Sequence, residues 1–409
     1  MILERQGFWD SFEKLNPDKK LKEVIKKEYD FLREFIKDNP EKFENKDYPA
    51  INSMDDLVRF FEFVGLIKKM SILTSNDLLD YMKEKKMSLG LSLSNRCNRG
   101  CLHCASDSTP DGEIVPYEKL TGFSNNFLKL IDEATFGLEG EPLDYEYNGK
   151  NLADIIEHYA NKGIKKYALS TGGTVSDISK KALNAIKNKP ISLKTRLTYS
   201  LYPGINGNSE SNDNIFLKSL ENLADTIPEV NVQILGDKYF QETNIQKALE
   251  RFDSIISKNG YLSRKKISDE KDPFKSYAYN KGNKKIIVGL TSAIDNVGRF
   301  TKVIENKLLT LINPKIPFKE PEISKKIICE HLFDYKKIVV DYKGNARFCD
   351  TTLSYGKPTI ANIYEEGEQA FFDKWYNYND LCRQYVLSNI NKIMHSKAET
   401  CLCKAKLRN

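Results

Sequence analysis

A chain of 409 residues is long enough for two or three domains and a substantial core. Hydrophobic residues make up 40% and charged residues 29%, the balance of an ordinary globular protein, and 63 Lys and Arg against 57 Asp and Glu leave a net charge of only +6. That charge is too small, and too dispersed in sign-alternating runs such as "PDKKLKEVIKKEYD", for a reader of nucleic acid, and no window approaches the ~18 consecutive apolar residues of a membrane span.

The opening stretch "MILERQGFWDSFEK" carries Glu4, Arg5 and Asp10 where a secretory signal needs an apolar run. No signal peptide is expected, and the expected location is cytoplasmic. Residues 1–86 read as a helical region. In "LKEVIKKEYDFLREFIKDN", Leu21, Ile25, Tyr29, Leu32 and Ile36 recur at helical spacing, and "MDDLVRFFEFVGLIKKM" and "SNDLLDYMKEKK" continue the pattern, the last with Ser75 as its N-cap. No strand stands out, and the region is either a helical appendage on the main domain or a module that docks substrate.

From Met87 the pattern changes. "MSLGLSLSN" sets Leu89, Leu91 and Leu93 against small residues at the two-residue period of a strand. Helical "NNFLKLID" follows, then the short apolar strand "ATFGL". Next come "NLADIIEHYANKG" (helix, ending at Gly163), "KKYALS" (strand), "SDISKKALNAIKNK" (helix) and "LKTRLTYSLY" (strand). "NIFLKSLENLADT" (helix), "VNVQILG" (strand), "TNIQKALERFDSIISKNG" (helix) and "KKIIVGLTSA" (strand) complete the series. Strands alternating with helices at about 30-residue intervals are βαβ units and predict an α/β fold with a parallel sheet covered by helices. Six units are too few for a closed eight-fold barrel, so residues 87–310 are expected to form an open or partial (β/α)6 barrel, with its chemistry at the carboxyl ends of the strands. The polar stretch "TYSLYPGINGNSESNDN" after the fourth strand lies on that face and is a candidate for substrate contact.

The loop after the first strand, "NRCNRGCLHC", holds three of the eight cysteines: Cys97, Cys101 and Cys104. In a cytosolic chain, spaced cysteines bind metal or do redox work more often than they form disulfides. Thiolates suit iron-sulfur clusters or zinc. Three of them can hold three irons of a four-iron cluster and leave the fourth open to an exogenous ligand, as a catalytic cluster needs. A structural zinc site built from the three cysteines and His103 is the alternative. It is awkward, because such sites usually combine two separated ligand pairs. A buried core role does not suit a segment as polar as "NRCNRG".

"CNRGCLHC" is similar to the C-x3-C-x-aromatic-C loop of radical S-adenosylmethionine enzymes, with His103 at the aromatic position. The resemblance covers about residues 87 to 300 and implies a partial (β/α)6 barrel. It implies that an open iron chelates the amino and carboxylate groups of S-adenosylmethionine. One electron, from a flavodoxin- or ferredoxin-type donor, then breaks the S–C5′ bond, and the 5′-deoxyadenosyl radical abstracts a substrate hydrogen. Three more segments resemble family motifs in the right order. "LEGEPLDY" at the second strand end resembles the Gly-Gly-Glu-Pro loop that holds the methionine amino group, giving roles to Gly140, Glu141 and Pro142, with Glu139 replacing the first glycine. "STGGT" at the third resembles the sequence whose hydroxyls approach the ribose, at Ser170 and Thr171. "NVGRF" after the last barrel strand resembles a Gly-Arg turn near the adenine, at Gly298 and Arg299.

Residues 311–409 supply a second cysteine set. "KKIVVDYKGNARF" reads as a hairpin with its turn at Lys343-Gly344, and helical sequence follows to "ETCLCKAK". The whole is similar to the SPASM/twitch extension of these enzymes, which opens with C-x(9–15)-G-x4-C; from Cys329 to Gly344 there are 14 intervening residues, and Cys349 closes the motif. The full C-x2-C-x5-C-x3-C run is absent, which favours a twitch-like domain with one auxiliary four-iron cluster. Cys329, Cys349, Cys401 and Cys403 are its expected ligands, since Cys401 and Cys403 lie in a polar tail with nothing apolar to bury them. Cys382 shares a helical apolar face with Leu381 and Tyr385 and is read as a core thiol. The resemblance implies oxidation or cross-linking of unactivated C–H positions; a large share of proteins with this double architecture act on ribosomally made peptides, by thioether or carbon–carbon links or by oxidation, and such a peptide is the first expectation. A minority oxidise small molecules such as aminosugars, which is the second expectation. A non-catalytic zinc-binding module is the expectation from another class.

Overall fold

The computed structural model describes residues 6–43, 48–72, 82–99, 104, 106–173, 176–187, 189–200, 209–227, 229–235, 250, 252–258, 260–266, 276–291, 337–347 and 359–395. They fall into two compact units, one within Met1–Lys85, Glu322–Tyr335 and Phe372–Asn409, the other within Lys86–Pro321 and Lys336–Phe371.

The first unit opens with helices α1 (Gln6–Glu13), α2 (Lys19–Asp38) and α3 (Met54–Ile72). Asp18 caps α2 by accepting from the Leu21 amide at 2.7 Å. Ile25, Tyr29, Leu32 and Ile36 are buried, as their spacing predicts, while Leu21 is half-buried. Phe8 from α1 stacks against Tyr29 with ring centroids 4.3 Å apart and against Phe60 of α3 at 5.4 Å, so the core here is aromatic. Among the described residues this N-terminal part holds helices and no strand; Ser75 lies outside them.

The second unit is built on a sheet. Its elements are β1 (Met87–Leu91), α4 (Tyr117–Thr121), α5 (Asn125–Leu128), β2 (Ile131–Phe136), β3 (Glu146–Tyr147), β4 (Lys150–Asn151), α6 (Leu152–Asn161), β5 (Lys166–Thr171), α7 (Asp177–Lys187), β6 (Ser192–Ser200), α8 (Ser209–Thr226) and β7 (Glu229–Leu235). They continue with β8 (Leu262–Lys266), β9 (Ser276–Lys281), β10 (Lys284–Thr291), β11 (Lys337–Val340), β12 (Asn345–Arg347) and β13 (Ala361–Asn362). Helix α9 (Ile363–Ser388), kinked at Gly367, belongs to this unit up to Phe371; its remainder and α10 (Ile390–His395) belong to the first unit and close the described chain. The strand order is β13-β12-β11-β1-β2-β5-β6-β7-β10-β9-β8. Within it β1, β2, β5, β6, β7 and β10 are parallel neighbours in chain order, and these are the six strands the sequence predicts. The sheet is open at β13 and β8, a mixed α/β fold with a partial and not a closed barrel. No helix among the described residues is long and apolar enough to cross a membrane.

Several boundaries differ from the sequence reading. The helix expected over "NNFLKLID" is the single turn α5, and Ile131 and Asp132 already belong to β2. Pairing decides this: Ile131 registers with Met87, and Ala134 and Phe136 with Leu89 and Leu91, burying alternate residues of β2 against the core. Helix α8 begins at Ser209, so the end of the polar stretch expected as loop is helical, and 201–208 lie outside the described residues. Antiparallel β9 and β8 extend the sheet beyond β10 and were not predicted.

Of the hairpin predicted over 336–348, residues 337–347 are described and form it, and its first strand lies parallel to β1, pairing Leu89 with Ile338 and Leu91 with Val340. Gly344 turns the chain with φ +91°, where a Cβ would stand 2.4 Å from the Tyr364 ring. Asp341 organises the turn. Its Oδ1 accepts from the amides of Lys343 and Asn345, both at 2.9 Å, and its Oδ2 from Asn345 Nδ2 at 2.9 Å and Arg347 Nη1 at 2.7 Å.

Candidate active site

At the carboxyl end of β1 the chain pairs with itself instead of entering a helix. The amide of Asn95 donates to Glu113 O at 2.8 Å, Val115 N to Leu93 O at 3.0 Å and Cys97 N to Thr109 O at 2.8 Å. Isolated ladder contacts join Ser94 to Ile114 and Arg96 to Thr109. The cysteine loop is therefore a self-closed finger rising from the first strand. Cys97 and Cys104 are half-buried in it. Cys104 Sγ accepts from the Ser108 amide at 3.4 Å and lies 3.5 Å from Ser106 Oγ, which fixes the direction of the sulfur. Cys101 and His103 lie outside the described residues, and among those described no three metal-binding side chains converge.

The loop after β2 packs onto this finger. The Glu141 amide donates to Arg96 O at 2.8 Å. The Gly140 amide donates to Ser108 Oγ at 3.1 Å, and that hydroxyl donates to Asn95 Oδ1 at 2.7 Å. Ser106 Oγ stands 2.8 Å from Ser108 Oγ, so hydroxyls run from the Cys104 sulfur to the Gly140 amide. Gly140 has φ +66°, and a Cβ there would lie 2.4 Å from Ser94 O. Only glycine allows the two loops to come this close. Pro142 is buried and opens a turn of 3₁₀ helix, Pro142–Asp144. Asp144 Oδ1 accepts from Ser176 Oγ at 2.5 Å, which ties the same loop to the segment leading into α7.

Glu141 is the buried centre of the arrangement, 2% exposed. Its Oε1 accepts from Thr171 Oγ1 at 2.6 Å and from the Leu143 amide at 3.2 Å, and its Oε2 from the Gly172 amide at 2.9 Å. Burial pushes its pKa up to about 7, although the Thr171 hydroxyl and the two amides favour the charged form and pull the other way. Glu141 thus clasps the loop of β2 to the end of β5. The Thr171 hydroxyl is engaged inside the protein, donating to Glu141 and accepting from the Gly173 amide at 2.9 Å; Ser170 is half-buried.

Glu139, the residue that departs from the family pattern, has a job of its own. It is buried, and its Oε2 accepts from the Tyr342 amide at 3.0 Å, just beyond β11. Burial raises its pKa, with that amide as the main opposing influence. The loop of β2 therefore reaches both ways, through Glu141 to β5 and through Glu139 to the hairpin.

Sequence reasoning brought together Cys97, Cys104, Gly140, Glu141, Pro142, Ser170 and Thr171, and the strand ends do place them in one region. Gly298, Arg299, Cys329, Cys349, Cys401 and Cys403 lie outside the described residues; Cys382 falls in α9, with its side chain outside them. Sequence reasoning passed over Arg99. Its Nε and Nη1 are shielded from solvent and have no hydrogen-bond partner among the described residues. Its side chain lies against Gly172, where a Cβ would stand 3.2 Å from Arg99 Cγ and 3.5 Å from Nε. The one signal available was an arginine set between two cysteines of a tight loop.

No family model matches the chain, and no curated protein matches it. Among solved structures, the chain is similar to BtrN in complex with AdoMet and 2-DOIA, at 12% identity over 73% of this chain and 87% of that one, with a TM-score of 0.38. It is also similar to Streptococcus suis SuiB bound to precursor peptide SuiA (13% identity, 84% of this chain, 77% of that one, TM-score 0.38). A second SuiB structure, bound to S-adenosylmethionine, matches at 12% identity over 91% of this chain and 88% of that one, with a TM-score of 0.39.

Proposed function

We propose that this chain is a radical S-adenosylmethionine enzyme that abstracts a hydrogen from a ribosomally made peptide, with oxidation of a small molecule such as an aminosugar as the alternative. One observation carries the reading. The cysteine finger, the Gly140–Pro142 loop and the Ser170–Gly173 segment stand at the carboxyl ends of three neighbouring parallel strands and are bound to one another by the Glu141 clasp. The donor set supports a cluster: two half-buried cysteines lie in a finger whose backbone is fixed on both sides, with the third cysteine between them.

In this reading Cys97, Cys101 and Cys104 hold a four-iron cluster. When bound, such a cluster with its open iron supplies the electron that cleaves S-adenosylmethionine to methionine and a 5′-deoxyadenosyl radical. The protein's part is placement. Gly140 brings the β2 loop against the finger, Glu141 locks that loop to β5, and Glu139 anchors it to the hairpin. A flavodoxin- or ferredoxin-type donor would supply the electron. The peptide reading leans on the helical N-terminal region as a module for holding a leader segment. An auxiliary cluster on Cys329, Cys349, Cys401 and Cys403 is proposed on the tail motif alone.

The metal content of anaerobically purified protein tests this reading. Brown protein carrying sulfide and about four irons, or about eight with the auxiliary cluster, is the expected result. Colourless protein carrying zinc would replace the enzyme with a zinc-binding module.

A further inference from the structure

Arg99 sits two residues after Cys97 and two before Cys101, inside the cysteine finger. A guanidinium cannot shed its charge to suit a dry environment, so a buried one needs an anion or several acceptors. Arg99 as a residue is half-buried, but its Nε and Nη1 are out of contact with solvent and without a hydrogen-bond partner among the described residues. The carboxylate beside it does not answer it. Glu141 Oε2 also lies near Gly172, 3.7 Å from where a Cβ would stand, but its two oxygens accept from Thr171, Leu143 and Gly172. Gly172 gives the Arg99 stem its room, since even a methyl group there would press on Cγ at 3.2 Å. The side chain is thus held over the end of β5 with its polar edge unanswered by the protein. That is the condition of a group waiting for a ligand, because donors shielded from water without an acceptor are costly to the fold.

We infer that Arg99 is the carboxylate-binding residue of this site, pairing with the carboxylate of an α-amino-acid ligand, which under the proposed function is the methionine part of S-adenosylmethionine. The inference rests on that reading for the identity of the ligand and on the geometry for the anion. A planar guanidinium suits a carboxylate because two parallel N–H groups can meet its two oxygens. The arrangement also divides the labour of the two loops. The finger supplies the positive group for the carboxylate, and the neighbouring Gly140–Pro142 loop is left for the ammonium.

Equilibrium binding to anaerobically reconstituted protein tests this without turnover, using S-adenosylmethionine and its decarboxylated analogue as probes. Wild-type protein should hold S-adenosylmethionine more tightly than the analogue, and about ten- to a hundredfold of that preference should belong to Arg99, the worth of one charge-assisted contact. Arg99→Gln should lose that share by weakening S-adenosylmethionine alone, with the analogue unchanged. Arg99→Lys, which keeps a point charge without the fork, should retain part of it. A merely structural role would weaken both probes alike. Full preference retained in Arg99→Gln, equal loss of both probes, or wild-type protein indifferent to the carboxylate would each overturn the assignment. Wild-type protein that binds neither probe would overturn the proposed function with it, so the two failures are told apart.

Discussion

In the hairpin Arg347 is 5% exposed and its Nε has no partner among the described residues, yet it donates from Nη1 to Asp341 at 2.7 Å and from Nη2 to Thr359 at 3.3 Å. In the cysteine finger Arg99 buries two nitrogens and meets no acceptor among the described residues. The hairpin closes its charges on themselves, which is how a buried ion pair fixes one geometry; the finger leaves a charge open, which is how a fold keeps a place for something that is not part of it. Glu141 stands between these extremes, a buried carboxylate answered only by neutral donors.

The largest effect expected from this contrast is in the hairpin. Asp341→Ala removes the partner of a buried arginine together with the acceptors that shape the turn, and should cost about 3–5 kcal/mol in denaturant unfolding. A loss under about 1 kcal/mol would mean that water reaches Arg347 and that the pair does not hold the turn.

Next comes the clasp. Glu141 has its pKa raised from 4.5 to about 7 by burial, so the folded state keeps a proton that the unfolded chain has released between those values. Its contribution is complete below pH 4.5 and is lost as pH rises through about 7. Relative to Glu141→Gln, the wild-type protein should lose stability between pH 5 and pH 8, by up to about 3 kcal/mol. Denaturant unfolding of both proteins at the two pH values reads this directly. Parallel pH profiles would show that Glu141 is charged throughout and that its three donors outweigh its burial.

The smallest effect separates the two arginines. Arg99→Met should leave folding stability unchanged or raise it, because no protein partner loses its bond when the guanidinium goes and two shielded nitrogens without an acceptor are removed. A loss as large as that of Asp341→Ala would make Arg99 another fastening like Arg347.

The barrel was legible because buried parallel strands write themselves as short apolar runs: "KKYALS", "VNVQILG" and "KKIIVGLTSA" all became strands within a residue or two of their expected limits. The edges were not. Strands β8 ("LSRKK") and β9 ("SYAYNK") carry lysines and polar residues and little apolar alternation, which suits a sheet margin and hides it from a periodicity search. The start of β2 was missed because Ile131 and Asp132 suit a helix locally and are drawn into the sheet only by their pairing with β1.

In the site, the residue types that name a chemistry were visible and those that assemble it were not. Gly140 and Glu141 could be picked out from "GEP", but that Glu141 points to Thr171 and Gly172, 30 and 31 residues on, depends on which strand lies beside β2. Glu139 looked like a defect in a motif until its bond to Tyr342, 203 residues away, supplied the reason. Arg99 read as one more polar loop residue, since sequence carries no sign that a cation will be buried without a partner.

The claim beneath all of this is that the finger, the clasp and the end of β5 form one cofactor site founded on three thiolates. Formation of 5′-deoxyadenosine from S-adenosylmethionine under strong reductant, compared between wild-type protein and the Cys97→Ala, Cys101→Ala, Cys104→Ala triple variant, tests it most directly. The account predicts 5′-deoxyadenosine and methionine in equal amounts from the wild type and none above background from the variant. The same yield from both proteins would contradict it.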